Sequence, residues 1–131
     1  MTRLLLTCAL VFTVCLTMAQ TKKPKMVVDF WDFEKTQMRS KGFYYADDFY
    51  GESTLEHGKW EFWDRQGRRT EILNYQKGKL HGKSTTFYAN GKKKEEGFFK
   101  DGKQDSIYFA WHENGQLWWE YNYKDGKNMD Y

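Results

Sequence analysis

The sequence predicts an all-β protein, an elongated, twisted, single antiparallel sheet of stacked β-hairpin repeats. Glycines recur at a constant spacing, Asn-Gly and Asp-Gly dipeptides separate segments of alternating side chains, and aromatic residues outnumber aliphatic ones after residue 25. Rings suit a pleated, half-buried surface, where they pack against cross-strand neighbours. The composition therefore favours a thin sheet over a core packed between helices and a sheet.

Two glycine series with the same spacing define the repeat. One consists of Gly67, Gly91 and Gly115, and the other of Gly78, Gly102 and Gly126. A third series begins with Gly58 and Gly82 and lapses to Ser106. A fixed period of this length indicates units that stack on their neighbours. We expect three units, at residues 57–80, 81–104 and 105–128.

Each unit is predicted to be a β-hairpin. The turn dipeptides are Asn90-Gly91, Asp101-Gly102, Asn114-Gly115 and Asp125-Gly126. Such dipeptides favour two-residue turns in which both central residues take positive φ. The chain has one proline, Pro24, so no proline interrupts strand pairing in the repeats.

Two aromatic columns persist through the repeat. They are Trp63, Phe87 and Trp111, and Tyr75, Phe99 and Tyr123. Equivalent residues of successive hairpins are two strands, or about 9.6 Å, apart. We expect each column to form a row on the sheet and to belong to its structural face.

Residues 26–56 follow the repeat poorly. Segments 26–33 and 43–50 are predicted strands, with Gly42 and Gly51 as turn markers. We expect a degenerate hairpin that caps the array, because terminal repeats are usually atypical. A short helix at residues 30–40 is the alternative.

The first 19 residues have the pattern of a signal peptide. Arg3 precedes an uncharged run at residues 4–18, and Ala19 is a small residue before Gln20. The run is shorter than the about 20 apolar residues of a spanning helix. We expect cleavage and export to the periplasm or the extracellular space. A membrane anchor and lipidation of Cys15 are the alternatives.

The flanking segments are short. Residues 20–25 are predicted to be a basic linker, and residues 129–131 a C-terminal tail. Lys22, Lys23 and Lys25 in the linker are expected to be solvated, with a polybasic membrane tether as the alternative.

The residue inventory argues against catalysis and metal binding. Cys8 and Cys15 both lie in the predicted signal peptide, so the mature chain would contain no thiol. His57 and His81 occupy equivalent turns, too far apart to share a zinc ion. The usual nucleophile, zinc-protease and phosphate-loop motifs are missing from the sequence. We expect no enzyme activity, no metal and no cofactor.

The net charge is small. A formal charge of +3 includes Arg3 of the predicted signal peptide. Nucleic-acid binders usually carry a strongly basic surface, so we expect no nucleic-acid partner.

Two sets of residues form the candidate binding surface. The first is Trp60, Trp118 and Trp119, each of which lacks an aromatic counterpart in at least one repeat. Function tends to reside in such departures from a repeat, and Trp118 and Trp119 are expected on opposite faces of one strand. Closure of the last repeat by these rings is the alternative.

The second set is a group of lysines beside the turns. Lys77, Lys79, Lys103 and Lys127 are expected to stack along one edge of the sheet. A solvated rim that resists edge pairing is one interpretation, and an anion or headgroup site is the other.

Several segments resemble the bacterial variant of the MORN repeat. They are His57-Gly58-Lys59, Tyr88-Ala89-Asn90-Gly91-Lys92 and Phe98-Phe99-Lys100-Asp101-Gly102-Lys103. The resemblance covers residues 57–128 well and residues 26–56 loosely. It implies an elongated, twisted antiparallel sheet, and it does not imply one activity. Eukaryotic members of the family are associated with membrane lipids, junction scaffolding and oligomerisation, and many bacterial variants carry an antitoxin-like label.

These observations predict an exported, non-catalytic module for protein–protein interaction or scaffolding at the cell envelope. The expected partner is another protein, and self-association through open sheet ends is a further expectation. The alternative is a binder of envelope glycan or anionic lipid headgroups. A third candidate is an immunity protein against an exported toxin, since export would remove the chain from the compartment of an ordinary antitoxin.

Overall fold

The computed structural model describes residues 23–47 and 53–129. The predicted signal peptide and residues 20–22 of the predicted linker lie outside the described residues. The described part contains ten β-strands and no helix. The strands are β1 (Lys25–Phe30), β2 (Met38–Asp47), β3 (Ser53–Trp63), β4 (Arg69–Gln76), β5 (Lys79–Leu80), β6 (Gly82–Phe87), β7 (Lys93–Lys100), β8 (Lys103–Trp111), β9 (Leu117–Lys124) and β10 (Lys127–Asn128).

All ten strands belong to one antiparallel sheet. Its order is β1-β2-β3-β4-β6-β7-β8-β9-β10, and the short β5 pairs with the end of β4. Successive strands are therefore neighbours, as expected when short turns join antiparallel strands. The predicted fold class, a single sheet of stacked hairpins, is confirmed.

One edge of the sheet, which we call the short-turn edge, carries three two-residue turns. They are Lys77-Gly78, Asp101-Gly102 and Asp125-Gly126, and all six residues have positive φ. The turns at residues 101–102 and 125–126 have the backbone that the sequence predicts, and the twist of such turns matches that of the flanking strands.

The glycines of the short-turn edge also connect neighbouring hairpins. The N–H of Gly78 donates to Glu56 O (2.9 Å), that of Gly102 to Leu80 O (2.8 Å), and that of Gly126 to Gln104 O (2.7 Å). Donors and acceptors both recur with the spacing of the glycine series. The period of the sequence is therefore also the period of a hydrogen bond that holds one unit to the next.

The opposite edge, the long-turn edge, departs from the prediction. At Asn90-Gly91 and Asn114-Gly115 only the glycine has positive φ. Gly91 N–H donates to Tyr88 O (2.9 Å) and Tyr88 N–H to Lys92 O (2.8 Å), which makes a three-residue loop with a left-handed glycine. Asn90 Oδ1 accepts from Lys92 N–H (2.9 Å). The asparagine supports the turn with its side chain, so a primed turn is not needed and the prediction was wrong there.

The N-terminal strands join the same sheet. β1 pairs with β2 and β2 pairs with β3, both antiparallel. A turn closed by Trp31 N–H and Gln37 O (2.8 Å) connects β1 and β2, so the alternative of a helix at residues 30–40 is wrong. Asp32 accepts backbone hydrogen bonds from Thr36 and Gln37 in that turn. β3 starts at Ser53 and crosses the expected boundary at residue 56.

The sheet has little core. Among the described residues, the buried hydrophobic ones are Trp60 and Ala110, both 4% exposed. Ser40, Ser84 and Thr85 are buried as well. The buried area is therefore contributed mainly by half-buried rings, as the aromatic composition predicts.

Basic side chains stand between the rings of one aromatic row. Trp63, Phe87 and Trp111 are half-buried. The Arg69 guanidinium lies 4.9 Å from the Phe87 ring centre, and Lys93 Nζ lies 5.5 Å from that of Trp111. Each cation belongs to the hairpin before the ring it covers, so cation–π contacts bridge the gap of about 9.6 Å between equivalent rings.

Candidate functional site

Trp60 does not lie on the exposed surface that the sequence predicts for it. Its indole rests on the backbone of Gly42, where an added Cβ would be 2.1 Å from Trp60 Cδ2. Trp60 Nε1–H donates to Phe43 O (3.2 Å), and the ring meets Tyr44 edge-on at 4.7 Å. The glycine of the neighbouring strand makes room for the ring. Trp60 is thus a core residue, and its assignment to the binding surface was wrong.

Trp118 and Trp119 are exposed, but they do not point to opposite faces. Across the ladder, Ala110 pairs with Trp119 and Trp111 pairs with Leu117, so Trp118 is an extra residue in a β-bulge. A bulge breaks the alternation of side chains along a strand. The two indoles therefore stack on each other, with ring centres 4.0 Å apart and planes inclined by 15°. The expectation of opposite faces was wrong for this reason.

The stacked indoles are part of a larger exposed cluster near the long-turn edge. His112 stacks on Trp118 with ring centres 5.1 Å apart. Trp118 and Trp119 are 55% and 39% exposed. We call His112, Trp118 and Trp119 the terminal aromatic patch. Large apolar side chains that touch one another and remain exposed are a frequent sign of an interaction surface.

The candidate lysines lie at the other edge. Lys77, Lys79, Lys103 and Lys127 are all exposed beside the short turns. Lys100 and Lys124 join them, and these six form what we call the lysine edge. Within the part of the chain that the structure describes, none of the six forms an ion pair with a carboxylate.

The structure separates the two candidate sets. Trp118 and Lys124 both belong to β9 and are six residues apart. At about 3.3 Å per residue this separation is about 20 Å. The aromatic and basic residues therefore form two sites at opposite edges, and a small ligand would not contact both.

The histidines remain apart. His57 Nδ1 is buried without a hydrogen-bond partner among the described residues, and its ring packs against Tyr45 at 4.4 Å. His81 Nδ1 lies 3.4 Å from Asp101 Oδ1. Over residues 23–47 and 53–129, no three His, Cys, Asp or Glu side chains are grouped as metal ligands. The same residues include no helix long and apolar enough to cross a membrane.

Stacked hairpins that repeat their turns, inter-hairpin hydrogen bonds and cation–π contacts from unit to unit define a β-hairpin repeat protein. Residues 80–101 and 104–125 match, in tandem, the family model described as the MORN repeat variant. The two matches begin one repeat period apart and cover most of the second and third predicted units. No curated protein and no solved structure matches the chain.

The match to the MORN repeat variant restricts the kinds of function that can be expected. MORN repeats are generally modules that bind proteins or membranes, and they are not catalytic. The terminal aromatic patch and the lysine edge are surfaces of the kind that such binding requires.

Proposed function

We propose that the chain is an exported, non-catalytic module that binds another protein through the terminal aromatic patch. The observation that carries this proposal is the exposure of the stacked pair Trp118 and Trp119. Tryptophan is enriched among the few residues that dominate binding energy at protein interfaces. The exposed indole faces favour a partner's apolar side chains as the ligand.

The exposed area of the indoles is large enough to contribute measurably to the free energy of binding. A large aromatic side chain buries about 150–250 Å² when it is fully covered. Trp118 is about half exposed, so covering it would remove on the order of 100 Å² from water. At about 25 cal/mol per Å², each indole would contribute on the order of 2 kcal/mol to binding. The two indoles can therefore anchor a partner.

A pull-down from envelope extract tests the binding surface. We expect Trp118→Ala and Trp119→Ala to lower partner capture at least tenfold without unfolding the protein. Phe98→Ala is the matched control, because Phe98 is also an exposed ring (42%) but lies on β7. Capture by Phe98→Ala should equal that of the unaltered protein. Equal capture by all three variants would refute the role of the patch.

Export is the second part of the proposal and is supported by the pattern of residues 1–19. The mature protein from its native host should begin at or near Gln20. Intact-mass measurement of the protein isolated from that host checks this. Recovery of the full-length chain from the cytoplasm would overturn the compartment and would restore an antitoxin-like role there.

A second candidate, an anionic membrane surface, is favoured by the lysine edge. Each lysine held near such a surface contributes about 1 kcal/mol, and the contribution falls with added salt. If this candidate is correct, Lys103→Gln and Lys127→Gln will reduce sedimentation with vesicles containing phosphatidylserine. Lys41→Gln, a control on β2 away from this edge, should have a smaller effect. Binding that is equal for neutral vesicles would exclude the candidate.

A further inference from the structure

Three aromatic side chains surround the buried indole of Trp60. The rings of Tyr44 and Tyr75 meet the indole edge-on, with ring centres 4.7 and 6.5 Å from that of Trp60. The Phe62 ring stacks on the indole at 6.0 Å. Trp60 is 4% exposed, whereas the three surrounding rings are only half-buried. The indole therefore holds the three rings in place, and the rings themselves remain partly open to solvent.

These rings line a cavity of about 290 Å³ that is formed by β1 to β4. Val27 in its wall is 38% exposed, so the cavity opens to solvent. The charged residues of its lining are Asp29, Arg39 and Glu56. Ligand pockets usually measure about 300–1,000 Å³ and combine apolar walls with a few polar groups. The cavity lies at the small end of this range, so it suits a small group, and its charged residues decide which group.

One negative charge of the cavity is left uncompensated. Asp29 and Arg39 neutralise each other, with Arg39 Nε 3.2 Å from Asp29 Oδ2. The half-buried Glu56 forms no ion pair with another described residue. Burial raises the pKa of both Tyr44 and Tyr75, and the charge of Glu56 raises it further. Both phenols therefore stay protonated at neutral pH, and the carboxylate of Glu56 lies close to both.

Glu56 is also a departure from the repeat. Its carbonyl accepts the hydrogen bond of Gly78, and the carbonyls of Leu80 and Gln104 accept the equivalent bonds in the next two hairpins. Of these three equivalent acceptor residues, only Glu56 carries a charge. A carboxylate that is partly removed from water without a partner costs free energy. A cation bound beside Glu56 would offset that cost.

The rings of the cavity differ from the aromatic row elsewhere in the sheet. There, Arg69 lies over Phe87 and Lys93 over Trp111. Among residues 23–47 and 53–129, no basic side chain lies over a ring of the cavity. Lys25 on the edge strand β1 is exposed and forms no such contact. The cavity thus offers ring faces and a carboxylate without a cation from the described chain.

We propose that this cavity binds an alkylammonium group, such as the head group of choline or the end of a lysine side chain. The rings of Tyr44, Phe62 and Tyr75 would surround the carbon atoms next to the nitrogen, where cation–π attraction acts. The Glu56 carboxylate would neutralise the charge. An anion would be repelled by Glu56, and a neutral group would leave its charge unpaired. The inference goes beyond the proposed function and depends neither on export nor on the terminal aromatic patch.

Chemical shifts of the ¹⁵N-labelled protein test the site. The probes are choline, butylammonium and 3,3-dimethylbutanol, an alcohol with the shape of choline and no charge. At least one ammonium should shift the Trp60 indole and the amides of Tyr44 and Tyr75 saturably, with a Kd about tenfold or more below that of the alcohol. The Kd values of choline and butylammonium then show whether a quaternary or a primary ammonium is preferred. If neither ammonium gives a saturable shift, or if the alcohol binds equally well, the proposal is wrong.

A variant of Glu56 tests the role of the charge. Glu56→Gln keeps the shape of the side chain and should weaken ammonium binding about tenfold. It should also lower the pKa of Tyr44 and Tyr75, measured from their ring signals, because a nearby negative charge is removed. Glu120→Gln is the matched control, since Glu120 is exposed on β9, and it should bind like the unaltered protein. Equal binding by Glu56→Gln and Glu120→Gln would overturn the proposal.

Variants of Tyr44 test the role of the rings. Tyr44→Phe keeps the ring face and should bind choline or butylammonium nearly as tightly as the unaltered protein. Tyr44→Leu removes the ring face and should weaken that binding about threefold or more. Melting curves of both variants confirm that the protein is folded in the binding experiment. Equal binding by folded Tyr44→Phe and Tyr44→Leu would contradict the proposed contact between ring and cation.

Discussion

Tryptophan is buried near the N-terminal end of the sheet and exposed near its C-terminal end. Near the N-terminal end, Trp60 is buried on the backbone of Gly42, and its indole N–H is bonded to a carbonyl. On β9, Trp118 and Trp119 stack on each other and stay exposed. All three depart from the repeat pattern, so the departure alone does not distinguish a core residue from a surface one.

Whether a ring is buried depends on the residue that faces it on the neighbouring strand. Gly42 on β2 leaves a space of the size of an indole, and Trp60 fills it. Gly97 on β7 does the same for the ring of Tyr108. Trp118 instead occupies a bulge, where an extra residue has no position opposite it in the ladder. A glycine on the neighbouring strand thus lets a ring pack closely against the backbone of this thin sheet.

The largest effect should come from removing the buried indole. Trp60→Ala should lower the free energy of unfolding by about 3–5 kcal/mol, the usual cost of truncating a buried aromatic residue. Trp118→Ala should lower it by less than about 1 kcal/mol, because exposed sites contribute little. Chemical denaturation of both variants measures the difference. Equal losses would contradict the contrast between the two ends.

The next-largest change in the free energy of unfolding is expected at Gly42, the glycine under Trp60. Gly42→Ala should cost about 1–3 kcal/mol, because its Cβ would overlap the indole. In a Trp60→Ala background the same change should cost far less, since the overlapping ring is gone. A double-mutant cycle measures this coupling. Additive losses would mean that the glycine and the ring do not act on each other.

A smaller, stabilising effect is expected at Ser106. Ser106 has a φ of 65° at the position where Gly58 and Gly82 have positive φ as well. A left-handed backbone costs a residue other than glycine about 1–2 kcal/mol. Ser106→Gly should therefore raise the free energy of unfolding by about 1 kcal/mol. Lys83→Gly, a control in an extended strand, should lower it by about 0.5–1 kcal/mol. A loss at both sites would contradict the expectation.

The smallest effect concerns pH. Burial opposes ionisation of Glu96, but the hydrogen bond from Lys93 and the charges of Lys93 and Lys83 outweigh it, so the pKa of Glu96 is lowered from 4.5. A lowered pKa means that the stabilisation is present above pH 4.5 and is lost as the pH falls through the folded-state pKa. Melting curves should show a shallower acid dependence for Glu96→Gln. An unchanged dependence would argue against this contribution.

The periodic features of the fold could be predicted from the sequence because they are local. Asp101-Gly102 and Asp125-Gly126 specify their turns by backbone conformation alone, and the period of the hairpins follows. The loop at Asn90 was mispredicted because asparagine can support a turn with its side chain as well as with positive φ. The identity of the dipeptide does not tell which of these two turn conformations forms.

The candidate site could be predicted only in part. The exposure of Trp118 and Trp119 agrees with their departure from the repeat, but their common face depends on a bulge that residue spacing does not reveal. Trp60 was misplaced because its burial depends on Gly42, which lies in the irregular segment and looked like a turn residue. The packing of the Tyr108 ring over Gly97 was also missed, although a glycine in a column that is large elsewhere is a recognisable signal.

Hydrogen exchange of the indole N–H groups tests the central contrast most directly. The Nε1–H of Trp60 is buried and bonded to Phe43 O, so it should exchange slowly in native conditions. The Nε1–H groups of Trp118 and Trp119 should exchange rapidly in the same sample. Protection at Trp118 and Trp119 together with rapid exchange at Trp60 would contradict the account.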